Sequence, residues 1–157
     1  MVPLTNLPEL LEPRRIIFAD ATMAAQGAYT DSDEMFVSDA DFVNFYFEYI
    51  RGAGGGALDV KFYYSPYASD AEAAAAGVQA WFQDMAYTVG AIAAGVETRS
   101  RVQRERLTYQ AEGALREMFM LQLDVKRGME RLKVALAESG STANPGDAQV
   151  TAYLGTM

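Results

Sequence analysis

The sequence predicts an all-β protein, an antiparallel β-sandwich in a single domain with an extended N-terminal arm and one long insertion loop. Apolar residues take every second position on both sides of a glycine-rich break at 51–57, and three further alternating runs fill the last third. Period-two alternation gives strands with one buried and one solvated face. The 157 residues, half of them hydrophobic and 22% charged, suit one soluble domain burying roughly 70% of its unfolded surface.

Residues 1–15 read as the arm, and 16–157 as the sandwich domain. Pro3, Pro8 and Pro13 alternate with Leu4, Leu7, Leu10 and Leu11. Proline at this density disfavours regular structure and favours an extended chain. An apolar segment of this kind is expected to lie on a neighbouring subunit, with Arg14 and Arg15 at its root. The start lacks the basic-then-apolar order of a signal peptide.

Residues 16–29 read as a strand that breaks near Gly27. The acids that follow, Asp31, Asp33, Glu34, Asp39 and Asp41, have the short spacing of calcium ligands. They lack the glycine and terminal glutamate of a calcium loop, so a turn is the preferred reading.

Val43, Phe45, Phe47 and Tyr49 then share one parity, as do Leu58, Val60, Phe62 and Tyr64. The glycines between them are expected to let these two strands fold back as a hairpin. Proline ends the second strand at Pro66. The alanine-rich 70–77 suits two helical turns capped by Ser69 or Asp70. A short strand is expected around Trp81 and Phe82, and a small-residue loop at 89–95.

Residues 97–110 hold Arg99, Arg101, Arg104 and Arg106 among Thr, Val, Leu and Tyr. Neither face is cleanly apolar, which points to an edge strand or protruding hairpin arm, because a central strand would bury the charges. A helix is the alternative, weakened by Thr and Val. The closing runs place Phe119, Leu121, Leu123 and Val125, then Leu132, Val134 and Leu136, then Val150, Ala152 and Leu154 on common faces. Turn sequences at 127–128 and 139–147 separate them.

Composition narrows the chemistry. Histidine and cysteine are both absent, which removes the commonest general base, the commonest transition-metal ligand and all thiol chemistry. A net charge of −8 opposes a nucleic-acid surface, since phosphate binding wants excess Lys and Arg. No apolar run is long enough to span a membrane as a helix. Gly54-Gly55-Gly56 lacks the lysine of a phosphate loop.

The order Tyr49-Ile50-Arg51-Gly52, Phe62-Tyr63-Tyr64-Ser65, Trp81 and the closing run from Leu132 to Leu154 resembles a pattern in tailed-bacteriophage virion proteins. These are small β-sandwich or jelly-roll proteins, capsid decoration (cement) proteins among them. The resemblance implies a structural role on the capsid exterior, after synthesis in the host cytoplasm. It implies contacts with the major capsid protein and with copies of itself, a trimer among the possible arrangements. The residues expected to carry those contacts are Leu4, Leu7, Leu10, Leu11, Arg14, Arg15, Arg99, Arg101, Arg104 and Arg106. A neck or tail protein shares every one of these features. No catalytic, cofactor or metal residues are assigned.

Two other readings stand beside it. Tyr46, Tyr63 and Tyr153 fall on the outward parity, where sugar-binding modules stack their ligands, although outward tyrosines also serve interfaces. Glu48 and Asp59 would face each other across the expected hairpin as paired carboxylates for hydrolysis. Acids on a solvated face are more often plain surface, so a non-enzyme is expected.

Overall fold

The computed structural model describes residues 14–23, 28–53, 56–83, 85–93, 96–103, 106–139 and 145–156. Eleven strands and one short helix are described: β1 (Arg14–Thr22), β2 (Thr30–Asp31), β3 (Met35–Phe36), β4 (Phe42–Ile50), β5 (Ala57–Ser65), α1 (Asp70–Ala75), β6 (Met85–Ala93), β7 (Val96–Gln103), β8 (Arg106–Gln110), β9 (Glu117–Asp124), β10 (Arg131–Ser139) and β11 (Asp147–Gly155). The protein is all-β, and every strand pairing is antiparallel. One sheet runs β1-β11-β4-β9, a second runs β2-β10-β5-β8 with β3 also on β10, and β6 and β7 form a separate ribbon. Among the described residues no helix is long and apolar enough to cross a membrane.

The two apolar runs around the glycine-rich break form strands, but not a hairpin. β4 pairs β11 and β9, while β5 pairs β10 and β8. The 51–57 segment is therefore a crossover from one main sheet to the other. Splitting the runs lets each apolar face bury the other, which a single exposed hairpin cannot do. The β8–β9 and β10–β11 connections also cross between the sheets.

One core collects the inward faces. Val43, Phe45 and Phe47 of β4 join Val60 and Phe62 of β5, Val134 and Leu136 of β10, and Val150 of β11, all buried. Leu121, Leu123 and Leu154 are partly buried and pack against them. The ring centroids of Phe45 and Phe62, from different sheets, lie 5.3 Å apart. Tyr109 stacks on Phe119 at 4.1 Å, joining β8 to β9. Asn44, Glu48, Asp59 and Lys61 sit on the opposite parity and are only half-buried, so the register read from the sequence holds.

Residues 66–105 form an insertion between the adjacent strands β5 and β8. Its helix α1 is capped as expected: the Ser69 hydroxyl accepts from the Glu72 N–H at 3.2 Å. In place of a strand around Trp81, Phe82 makes an isolated bridge with Tyr64. Of the 89–95 segment expected to be a loop, residues 89–93 continue strand β6, and 94–95 lie outside the described residues. Glycine and alanine depress strand propensity, but the ladder with β7 overrides it. The register slips between Val89 and Ile92, around Gly90, as bulges do where a side chain is missing. Residues 97–110 split as well: β7 belongs to the ribbon and β8 to the five-stranded sheet.

Two buried charges at the ends of β10 hold the connections, and neither was singled out by sequence. Arg131 is 1% exposed. Its guanidinium donates to the Tyr67 carbonyl at 2.7 Å, to Glu34 and Asp70 at 2.9 Å each, and lies 4.7 Å over the Trp81 ring. It thus ties the root of the insertion and the chain before β3 to one strand. Its two carboxylate partners reach solvent and can rehydrate when the arginine is lost. Arg131→Met should therefore cost about 2–3 kcal/mol, with hydrogen exchange rising first over 66–82. Uniform exchange across the whole domain would show that Arg131 does not anchor the insertion in particular.

Glu138, at the other end, is fully buried. Its carboxylate accepts the Tyr49 hydroxyl and the Gly52 and Gly146 N–H groups, the last two at 3.0 Å. The bond to Tyr49 joins the two main sheets, and the two glycine amides belong to two of the crossovers. A Cβ at Gly146 would collide with the Ile50 carbonyl, so only glycine fits there.

Candidate functional site

The outer face of the four-stranded sheet carries the described surface best suited to a partner. Strand pairing sets its residues in rows: Gln149, Glu48 and Met118, then Thr151, Tyr46 and Met120, then Tyr153, Asn44 and Gln122. Ile16 of β1 continues the middle row opposite Thr151. Tyr46, Glu48, Met118, Gln149, Thr151 and Tyr153 line a shallow open depression. Met118 is 67% and Met120 62% exposed, large apolar surface to leave in water. The Asn44 side-chain amide oxygen beneath this face is buried without a hydrogen-bond partner among the described residues.

Tyr46 and Tyr153 meet edge to face, with centroids 5.0 Å apart and planes at 71°. Tyr63 lies on the other main sheet, with the Lys133 ammonium 5.8 Å over its ring. Burial and the nearby Asp31 raise the Tyr63 hydroxyl pKa. The three outward tyrosines therefore form no common row on which a sugar would stack. Glu48 and Asp59 are on different sheets, and Asp59 accepts the Thr108 hydroxyl at 2.6 Å. The paired-carboxylate reading required a hairpin that does not exist.

The outer face of the second main sheet is already occupied. The Lys133 ammonium lies 2.7 Å from Asp31 and 4.5 Å over the Trp81 ring. The Lys61 ammonium lies 3.9 Å over the Tyr29 ring. The acidic stretch is likewise engaged: Asp31 by Lys133, Asp33 by Arg15 at 3.4 Å, Glu34 by Arg131. Among the described residues no group of carboxylates is placed to hold a metal ion.

The contact residues expected from sequence scatter. Leu4, Leu7, Leu10, Leu11 and Arg104 lie outside the described residues. Arg14 and Arg15 belong to β1, paired with Tyr153 and Ala152, so the strand begins two residues inside the segment read as arm. Arg99 and Arg101 lie on β7, opposite Val89 and Tyr87. Arg106 is instead on β8, opposite Lys61. The three described arginines of this segment thus belong to two sheets. Met118 and Met120 went unnoticed because their parity reads as the solvated side of an ordinary strand. No family model matches the chain, and no curated protein or solved structure is significantly similar to it.

Proposed function

We propose that this chain is a structural virion protein of the tailed-phage kind, a jelly-roll-like β-sandwich that decorates the capsid exterior. It binds the major capsid protein and copies of itself, with 1–13 as a contact arm; a neck or tail position is the same reading with another acceptor. The observation that supports it most is the β6–β7 ribbon, whose strands, among the described residues, pair with each other and with neither main sheet. A two-stranded ribbon is marginal by itself in water and gains stability when a partner covers it. Arg99 and Arg101 lie two residues apart on β7, in a chain of net charge −8. They suit an acidic patch on the shell, where complementary charge sets register and speeds encounter.

The test is add-back of purified protein to capsids assembled without it. Wild-type protein should saturate the particles and weaken with added salt, and R99E/R101E should bind at least about tenfold less tightly. Wild-type protein that ignores the particles overturns the capsid reading. Salt-independent binding that survives charge reversal removes the arginines from it.

A further inference from the structure

Strand β9 is an unprotected sheet edge, and we infer that it pairs antiparallel with β9 of a second copy to join two four-stranded sheets into one. The inference deepens the self-association part of the proposed function and rests on it for the identity of the partner.

Proteins blunt exposed edges with short strands, bulges, lysine, proline or inward charge. Of the four edges of the two main sheets, three carry such a device. β1 shifts register twice against β11. β2 and β3 have two residues each, and β8 has five, beginning with Arg106. β9 has only an inward acid at its first residue, Glu117, whose carboxylate already accepts the Glu112 N–H at 2.9 Å. Otherwise it runs eight residues as EMFMLQLD, in unbroken register with β4 from Glu117 to Asp124. Its charges stand only at its two ends. Phe119, Leu121 and Leu123 on the inner face remain only partly buried, and among the described residues no strand lies beyond them.

A second copy fits because the strand is complementary to itself. A two-fold axis perpendicular to the sheet keeps outer faces together, so paired residues must share parity. Placing Met120 opposite its own counterpart sets Met118 against Gln122 and Phe119 against Leu121. The same register sets Asp124 against Arg116 of the partner subunit, once at each end. Arg116 here reaches Asp20 through one terminal nitrogen, at 3.0 and 3.1 Å. Its remaining donors are open to a second carboxylate. Moving the axis by one residue, to Leu121, would instead bring Arg116 against Lys126. The pairing covers Met118, Met120 and the inner-face edge in both copies, and it gives a two-fold dimer. The interface is at the small end of specific contacts, so a dissociation constant in roughly the micromolar range is expected.

The chain has no cysteine, so single cysteines report the register directly on the free protein. Facing residues of an antiparallel pair have Cα atoms about 4.5–5.5 Å apart, within disulfide reach. Met120→Cys should oxidise to a covalent dimer. Met118→Cys and Gln122→Cys should each stay monomeric alone but cross-link when mixed. Sedimentation over a concentration series should show a wild-type dimer. M120K should weaken it at least tenfold while circular dichroism stays native, since the side chain is mostly solvated. Wild-type protein monomeric throughout, or a dimer indifferent to M120K, overturns the pairing; a disulfide through Gln122→Cys alone overturns the register. These measurements need no particle, so their failure is distinct from failure to bind capsids.

Discussion

Glu138→Ala is expected to destabilise the protein by about 3–5 kcal/mol, because two buried donors and one part-buried donor lose their acceptor at roughly 1–3 kcal/mol each and entering water offsets part of it. The donors are the Tyr49 hydroxyl and the Gly52 and Gly146 amides. Glu138→Gln should lose less, since one side-chain oxygen still accepts. The urea midpoint should fall with little change in slope. A loss below about 1 kcal/mol would mean that this buried carboxylate does not hold the crossovers.

The same contact makes a pH prediction. Burial first, and then the bond to Glu138, hold the Tyr49 hydroxyl far above the ordinary 10.0. The folded protein therefore keeps this proton where the unfolded chain releases it. The contribution of Tyr49 is intact below pH 10 and is lost as pH rises beyond it, at up to about 1.4 kcal/mol per pH unit. Tyr49→Phe should flatten the alkaline decline measured by thermal melts at pH 9 to 11. An unchanged slope would show that the hydroxyl ionises as freely folded as unfolded.

Phe45→Ala is expected to cost about 3–5 kcal/mol, as transfer and cavity terms combine for a buried ring. Phe45 is fully buried and bridges the sheets through Phe62. A double-mutant cycle with Phe62→Leu should return a coupling of about 0.5–1.5 kcal/mol for the tilted ring pair. Ile16→Ala, on a residue 47% exposed, should cost under about 1 kcal/mol. Equal losses at Phe45 and Ile16 would contradict a core centred between the two main sheets.

The sequence by itself determined the all-β class, the strand positions in β4, β5, β9, β10 and β11, and which face of each meets the core, although in β10 the opposite face, with Ala135 and Ala137, is buried too. Alternation is a local property, and a slip of one residue would have exposed Phe45, Phe47 and Tyr49 of β4. Ser69 as a helix cap was also legible, because the cap bond spans three residues. Only the tertiary structure decided which strands pair. Parity says which side of a strand is apolar but nothing about its neighbour, so β4 and β5 looked like a hairpin and became members of different sheets. The β6–β7 ribbon was half-legible for a related reason: the glycine and alanines of β6 follow no pattern until β7 lies beside them. Arg131 sits on the opposite parity of its run, and its burial depends on distant residues, Glu34, Tyr67 and Asp70, closing over it. Glu138 shares the inward parity of Leu136, but the partners that satisfy its carboxylate come from other strands and crossovers. The open edge at β9 was invisible for the same cause. An edge is defined by the strand that is not there, which depends on the order of the whole sheet.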